Sequence, residues 1–367
     1  MSEELYERIL GCMVGNAIGD SFGAVVEFCF ADRVEKLAGK PWVDELLPFP
    51  DDFGTHPVGV WRAAPPRGTG TDDTRNNHIF AECVIRNGGE INSHLLAMEY
   101  VDRYRDRAAF YPKYGELAEK HMGHMYEGSC AYLGMQELPS GRPAWVVCSQ
   151  GNAFPTLWGL ISLAFAGLLY VGDPERAYAK TFELSFLDLG YARDATAMMA
   201  AMISAALGGD VSGKQMVRLA LETNPFDFRW RITAHELSKF LQLADEADSD
   251  QALVDAIARE VAHRHAFDPI DVLGQPAAAV YYCDGDPVRS IVMAANDRDL
   301  DENGNLKQLR DVDCTGGVAG ALVRALHGVG AFPEDWLADV LKANKEVYGI
   351  DIEENARRFC EAVYGAK

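Results

Sequence analysis

Two short segments of the sequence place acidic side chains beside threonine and glycine. The first, GTGTDDT at residues 68–74, holds the adjacent carboxylates Asp72 and Asp73. If a helix begins there, Thr71 or Asp72 would cap its free N–H groups, and acids suit the positive end of the helix dipole. One acid is enough for a cap, and two adjacent carboxylates repel each other unless a cation or a proton intervenes. The segment therefore fits a helix cap, a metal site, or both.

The second segment, DVDCTGG at residues 311–317, repeats this arrangement. Asp311 and Asp313 precede Cys314 and Thr315, and an apolar helical pattern follows the two glycines. If both segments begin helices beside one cleft, four carboxylates and nearby hydroxyls form one site. Such hard oxygen ligands select Mg²⁺ or Mn²⁺. Zinc is disfavoured, because neither segment offers a histidine and only one offers a cysteine.

A third segment, GCMVGNAIGDSFGAVVEF at residues 11–28, combines regularly spaced glycines with two acids. Glycines at 11, 15, 19 and 23 leave one face of the expected helix without side chains. Each costs roughly 1 kcal/mol relative to alanine, so we expect close packing against another helix to compensate. Asp20 and Glu27 follow near the expected end of this helix. Glu27 lies among apolar residues, and is either an ordinary boundary residue or a site acid with a raised pKa.

The segments that must position these residues show mainly helical periodicity. Apolar residues recur at spacings of three and four in segments 3–19, 74–86, 91–106, 157–170, 175–187, 192–207, 213–222, 251–264, 287–295, 316–328 and 334–347. Strand-like alternation is scarce, and RPAWVVCS at 142–149 is its best example. No linker or repeat divides the chain. The sequence therefore predicts a single all-α domain, residues 1–367, with a central cleft.

Composition excludes several classes of function. The formal net charge of −21 opposes binding to nucleic acid or to an anionic membrane. The longest apolar run, residues 157–171, is too short to span a bilayer comfortably. The cysteines are scattered without a C-x-x-C pair, and the acidic start MSEELYERIL is unlike a signal peptide. We therefore expect a soluble cytoplasmic protein.

The three segments, with the continuation to DVDCTGGVAGALVRALHGVGAFPEDW, resemble the signature regions of the ADP-ribosylglycohydrolase family. That family includes the hydrolase that reactivates ADP-ribosylated dinitrogenase reductase. The resemblance implies an all-α fold with two Mg²⁺ or Mn²⁺ ions in a cleft, where they hold the ribose that carries the scissile bond. It implies as metal ligands Thr71, Asp72, Asp73, Asp311, Asp313 and Thr315. It implies as catalytic residues Glu27, Asp73 and Asp313.

The sequence departs from the family pattern at several places. Cys314 stands where many members have threonine, and Thr315 comes one place later. Because a thiol is a poor ligand for Mg²⁺, the ligand there is Cys314, Thr315 or water. In the middle of the chain, GNAFPTLWG (151–159) and SFLDLGYARDA (185–195) depart from the family pattern, and HMGHMYEG (121–128) stands where members often carry an aspartate used near the substrate. These differences affect the choice of substrate more than the metal site.

The resemblance implies a metal-dependent hydrolase of an ADP-ribosyl, or related ribosyl, N- or O-glycosidic bond. Its substrate would be an ADP-ribosylated protein or a small ribosyl compound. Because Mg²⁺ acidifies bound water only weakly, a carboxylate must assist, with Glu27 the first candidate and Asp73 the second. The alternative is a non-catalytic protein that keeps the fold and binds ADP-ribose or a nucleotide, or is purely structural. Retention of all four signature aspartates favours the enzyme.

Overall fold

The computed structural model describes residues 1–52, 64–106 and 155–365. The predicted strand at 142–149 and the segment at 121–128 lie outside these residues. The described helices are α1 (Glu3–Gly23), α2 (Ala31–Ala38), α3 (Asp72–Arg86), α4 (Ser93–Arg105), α5 (Trp158–Ser162), α6 (Pro174–Leu184), α7 (Tyr191–Gly208), α8 (Gly213–Glu222), α9 (Ile232–Glu246), α10 (Asp250–Val261), α11 (Pro269–Tyr282), α12 (Pro287–Ala294), α13 (Val312–His327), α14 (Glu334–Tyr348) and α15 (Ile352–Tyr364).

The remaining described elements are short. Two 3₁₀ helices span Ala164–Leu169 and Val329–Ala331, and strands β1 (Arg298–Leu300) and β2 (Leu306–Leu309) form an antiparallel hairpin. The all-α prediction is confirmed. None of the helices in the described ranges is long and apolar enough to cross a membrane.

Helices α1 and α13 form the most extensive helix contact among the described elements. A Cβ atom added at Gly11 would lie 2.7 Å from the Gly328 backbone, and one at Gly19 would lie 2.8 Å from the Gly317 nitrogen. Real Cβ atoms almost never approach so closely. The expectation that the glycine face of α1 receives another helix is therefore confirmed. This contact brings the acids of α1 and α13 together.

Helix α7 lies at the centre of the core. Its residues from Ala192 to Leu207 are all buried, as expected for a helix with no solvent-facing side. It contacts α6, α8, α11 and α13. Helix α13, which carries the second acidic segment, is therefore packed against this buried helix.

The predicted helix at 157–170 is interrupted in the structure. Asn77 of α3 donates to the carbonyl of Ile161 (2.8 Å) and accepts from the N–H of Ala164 (3.1 Å). Since that side chain satisfies two backbone groups that a continuous helix would pair, the segment splits into α5 and a 3₁₀ turn.

Four of the described helices were not predicted: α2, α9, α11 and α15. Helices α2 and α9 begin without a side-chain N-cap hydrogen bond, so their starts carry little signal. Helix α11 contains Pro276, which ordinarily ends a helix. Helix α15 does have a capping acid, Asp351, and that signal was present in the sequence but missed.

Candidate active site

Asp20 organises the start of α3. Its carboxylate accepts the N–H of Thr71 (2.9 and 3.0 Å) and of Thr74 (3.0 Å), and the hydroxyls of Thr71 (2.9 Å) and Thr74 (2.5 Å). Burial raises the pKa of Asp20, and these hydrogen bonds oppose that rise. Asp20 lies inside α1, which extends beyond its predicted end at residue 19. Sequence analysis noted this acid but missed its role as the anchor of the first acidic segment.

The glycine-rich loop before α3 is held from its other side by α14. Asn344 accepts from the N–H of Gly70 (3.2 Å) and donates to the carbonyl of Gly68 (3.1 Å), while the Tyr348 hydroxyl donates to the carbonyl of Gly70 (2.6 Å). Gly70 admits no side chain, since a Cβ there would lie 2.6 Å from an oxygen of Asp20. Thr71 caps α3 through the N–H of Asp73 (3.4 Å). The capping interpretation of the segment is thus correct, and it leaves the carboxylates of Asp72 and Asp73 available to a site.

Both acidic segments contribute side chains to the wall of one cavity of about 280 Å³. Five of the ten described residues that line it are acids, and among the ten there is no lysine or arginine. They are Glu27, Asp72, Asp73, Thr156, Leu157, Ile161, Phe267, Asp311, Asp313 and Cys314. The structure therefore brings Glu27 and the four signature aspartates to one place.

Two overlapping groups of side chains lie at spacings suited to a metal ion. Ligand atoms of Asp73, Asp313 and Cys314 lie within 4.8 Å of one another, as do those of Glu27, Asp311 and Asp313. The Cys314 sulfur is 3.4 Å from Oδ2 of Asp73. Asp313 belongs to both groups.

Burial and mutual repulsion dominate the electrostatics of the cavity. Burial, followed by the charges of Asp313 and Asp311, raises the pKa of Glu27 well above its usual value. Burial and the charge of Asp313 do the same to Asp73, and burial raises the pKa of Asp311 to about 7. Without a cation, burial and mutual repulsion therefore favour the protonated forms of these carboxyl groups.

The donor set fits a hard divalent cation. Oδ2 of Asp311 is buried and accepts no hydrogen bond from the described residues, although a buried carboxylate oxygen ordinarily has a donor. Carboxylate oxygens at this spacing are the ligands that Mg²⁺ and Mn²⁺ prefer. A cation bound there would give Oδ2 of Asp311 a partner and would supply the positive charge that neutralises the cluster.

The two threonines expected as ligands have different positions. The Thr71 hydroxyl lies between Asp20 (2.9 Å) and Oδ2 of Asp313 (3.1 Å), so it adjoins the cluster. Thr315 is fully buried, does not line the cavity, and donates to the carbonyl of Ala294 (2.8 Å). The expectation for Thr315 is therefore revised: the side chain beside Asp313 in the cavity is that of Cys314.

A network of ion pairs around the buried Arg310, which the sequence did not predict, holds the second acidic segment in place. Nε of Arg310 lies 2.7 Å from Oδ2 of Asp271, and its Nη1 donates to Asp299 (2.7 Å). The backbone carbonyl of Arg310 accepts from the N–H of Phe28 (3.2 Å), which directly follows Glu27 and has a positive φ of 53°. Since Asp311 is the next residue, one network fixes both acids.

Comparisons with known proteins agree with this fold. A solved structure described as an "ADP-ribosylglycohydrolase-related protein complex" matches with a TM-score of 0.62 at 20% identity, over 99% of this chain and 100% of that chain. A search of curated proteins finds no match. The ADP-ribosylglycohydrolase family model matches residues 1–367, and the chain therefore belongs to the ADP-ribosylglycohydrolase family.

Proposed function

We propose that this protein is a divalent-cation-dependent hydrolase that cleaves an ADP-ribosyl, or related ribosyl, N- or O-glycosidic bond. Family membership supports a glycohydrolase-type function. The observation that carries the finer proposal is the convergence of Glu27, Asp73, Asp311 and Asp313 on one buried cavity. A merely structural cavity would gain nothing from so many unneutralised acids, because their repulsion destabilises the fold.

In this proposal the carboxylates of Asp72, Asp73, Asp311 and Asp313 hold Mg²⁺ or Mn²⁺, with Thr71 beside them. When bound, the cations supply positive charge and coordination positions for the sugar hydroxyls. The Asp20 carboxylate holds the first ligand segment in place by accepting hydrogen bonds from the N–H and hydroxyl groups of Thr71 and Thr74. The Arg310 network does the same for the second segment.

Glu27 is the proposed acid/base residue, and Asp73 is the second candidate. Burial and the neighbouring aspartates raise the pKa of Glu27, so it can hold a proton and donate it to a leaving group. After that donation, the same carboxylate can accept a proton from an attacking water. Cleavage at an anomeric carbon requires both kinds of transfer.

The cavity wall suggests how substrate would lie. The described cavity is near the lower end of the size range of small-molecule pockets, which suits a ribosyl group better than a whole ADP-ribose. Phe267 lines it with 45% of its surface exposed, and its ring packs edge-on against Phe28 at 5.7 Å. An exposed aromatic face at this place can stack on a sugar or base.

The test is turnover of a panel that contains ADP-ribosylated amino acids, O-acetyl-ADP-ribose and simple ribonucleosides, with Mg²⁺ or Mn²⁺ and with chelator. We expect release of a ribosyl product that chelator abolishes. Asp313→Asn should lower kcat at least ~10²-fold, as does loss of a positioned electrostatic group. The control is Asp301→Asn, which alters an acid outside the cavity. Binding of ADP-ribose without turnover of any compound would favour the non-catalytic alternative.

A further inference from the structure

The two groups of potential ligands in the cavity differ in chemistry. The group of Glu27, Asp311 and Asp313 offers only carboxylate oxygens, whereas the group of Asp73, Asp313 and Cys314 adds a sulfur. Thiolate sulfur is a soft donor that favours Zn²⁺, Fe²⁺ or Co²⁺ over Mg²⁺. The two halves of the cluster should therefore prefer different ions.

We propose that the centre is asymmetric: the half formed by Asp73, Asp313 and Cys314 takes a thiophilic ion of the Zn²⁺, Co²⁺ or Fe²⁺ class, and the half formed by Asp311 and Asp313, beside Glu27, takes Mg²⁺ or Mn²⁺. This inference rests on the proposed function, since it concerns the same cavity. It departs from the sequence-based argument against zinc, which rested on the two acidic segments offering no histidine and only one cysteine. The fold adds Asp73, from the other segment, to the Asp313–Cys314 pair.

The backbone fixes the Cys314 sulfur at this site. Cys314 lies in the first turn of α13, and its N–H donates to Oδ1 of Asp313 (2.9 Å). Its sulfur is 3.4 Å from Oδ2 of Asp73. One cysteine and two carboxylates would supply three protein ligands, the number that catalytic zinc sites ordinarily have. A metal deprotonates a thiol that coordinates it, so the neutral thiol of the metal-free protein is no obstacle.

A second observation points independently to a ligand in the same cavity. Asp311 is 2% exposed and lines the cavity, and its Oδ2 accepts no hydrogen bond from the described residues. It belongs to the all-oxygen half, which therefore has an oxygen ready to bind an ion. The neighbouring hydroxyl of Thr315 cannot replace Cys314 in the sulfur-containing half, because it donates to the carbonyl of Ala294.

Spectroscopy of the Co²⁺-loaded protein tests the inference without depending on activity. Metal-free protein titrated with Co²⁺ should develop the near-ultraviolet charge-transfer band of a cobalt–thiolate bond. Cys314→Ser and Cys314→Thr should abolish the band. Cys360→Ala, which alters a buried cysteine outside the cavity, should retain it. Melting temperatures in chelator identify any variant that has simply failed to fold.

Metal selectivity provides the second measurement. Measured by calorimetric titration, Cys314→Thr should weaken Zn²⁺ binding at least ~10-fold. Removing a residue that only supports a metal ligand already lowers metal affinity by about 10- to 100-fold, so losing a ligand itself should cost at least the lower figure. The same change should leave Mg²⁺ binding equal or tighter, because a hydroxyl is the harder donor.

The outcomes separate this inference from the proposed function. If Co²⁺ binds without the thiolate band, and Cys314→Thr leaves the Zn²⁺ affinity unchanged, the asymmetry is refuted while a symmetric oxygen-ligated centre stands. If neither Zn²⁺, Co²⁺, Mg²⁺ nor Mn²⁺ binds the folded protein, both the inference and the metal-dependent function fail.

Discussion

The glycine contact between α1 and α13 can be tested with Gly19→Ala. The new Cβ would lie 2.8 Å from the Gly317 nitrogen and closer still to the carbonyl of Gly316. Non-bonded carbon contacts are best at about 3.5–4.0 Å, and the carbonyl oxygen of Gly316 is the nearer obstacle, so the helices must separate by roughly 1.5 Å or more. Because both obstructing atoms belong to the backbone, no change of rotamer relieves the clash.

The expected loss of stability follows from two opposing effects. Overpacking a tight core costs about 1–3 kcal/mol, and a clash with backbone belongs at the upper end of that range. Alanine recovers roughly 1 kcal/mol of helix propensity. We therefore expect Gly19→Ala to lower the free energy of unfolding by about 2 kcal/mol, measured by urea denaturation in chelator.

The same substitution should weaken metal binding. Asp20, the next residue of α1, anchors the first ligand segment, while Asp313 lies on the opposing helix. Titration with Mn²⁺ should show a lower affinity than wild type. Gly209→Ala is the matched control, since its backbone is extended (φ 168°) and no atom lies within 4 Å of the added Cβ. A Gly19→Ala variant as stable as Gly209→Ala, or more stable than wild type, would refute the packing argument.

Asp20→Asn should lower the free energy of unfolding, measured by urea denaturation, by about 1.5–3 kcal/mol, because the charged acceptor of several hydrogen bonds is lost. Arg310→Met should cost about 3–5 kcal/mol by the same assay, since Asp271 loses the cation beside it. Burial raises the pKa of Asp311 from 3.8 to about 7, so the folded state binds the extra proton. Thermal melts in chelator should show stability falling as pH rises through this window, with Asp311 alone contributing up to ~1.4 kcal/mol per pH unit and with Glu27 and Asp73, whose pKa values are also raised, adding to the loss. The stabilisation by Mg²⁺ should grow over the same range. Phe267→Ala should raise KM more than it lowers kcat in steady-state kinetics.

Local sequence patterns predicted most of the described helices, although α15 was missed despite its capping acid Asp351. They also predicted the glycine face of α1, because glycines four residues apart serve few other purposes in a helix. They did not predict α11, since Pro276 lies inside it. The role of Asp20 depends on a contact with residues about fifty positions away in the chain, and no local pattern encodes such a contact.

The choice between Cys314 and Thr315 shows a further limit of sequence analysis. Successive residues of an α-helix point about 100° apart, so these two neighbours cannot both face the cavity. The sequence does not reveal the rotation of α13 about its axis. Packing against α12 settles it, because the Thr315 hydroxyl meets the carbonyl of Ala294 and Cys314 turns toward Asp73.

The most direct test of the central claim is anomalous diffraction from crystals grown with Mn²⁺. We expect a strong anomalous peak in the cavity, within about 2.5 Å of carboxylate oxygens of Asp311 and Asp313, as oxygen ligation of a hard cation requires. Crystals of Asp313→Asn grown in the same way should lose the peak or show it much weakened. A cavity without anomalous signal at saturating Mn²⁺, or an ion bound only elsewhere on the protein, would contradict the account.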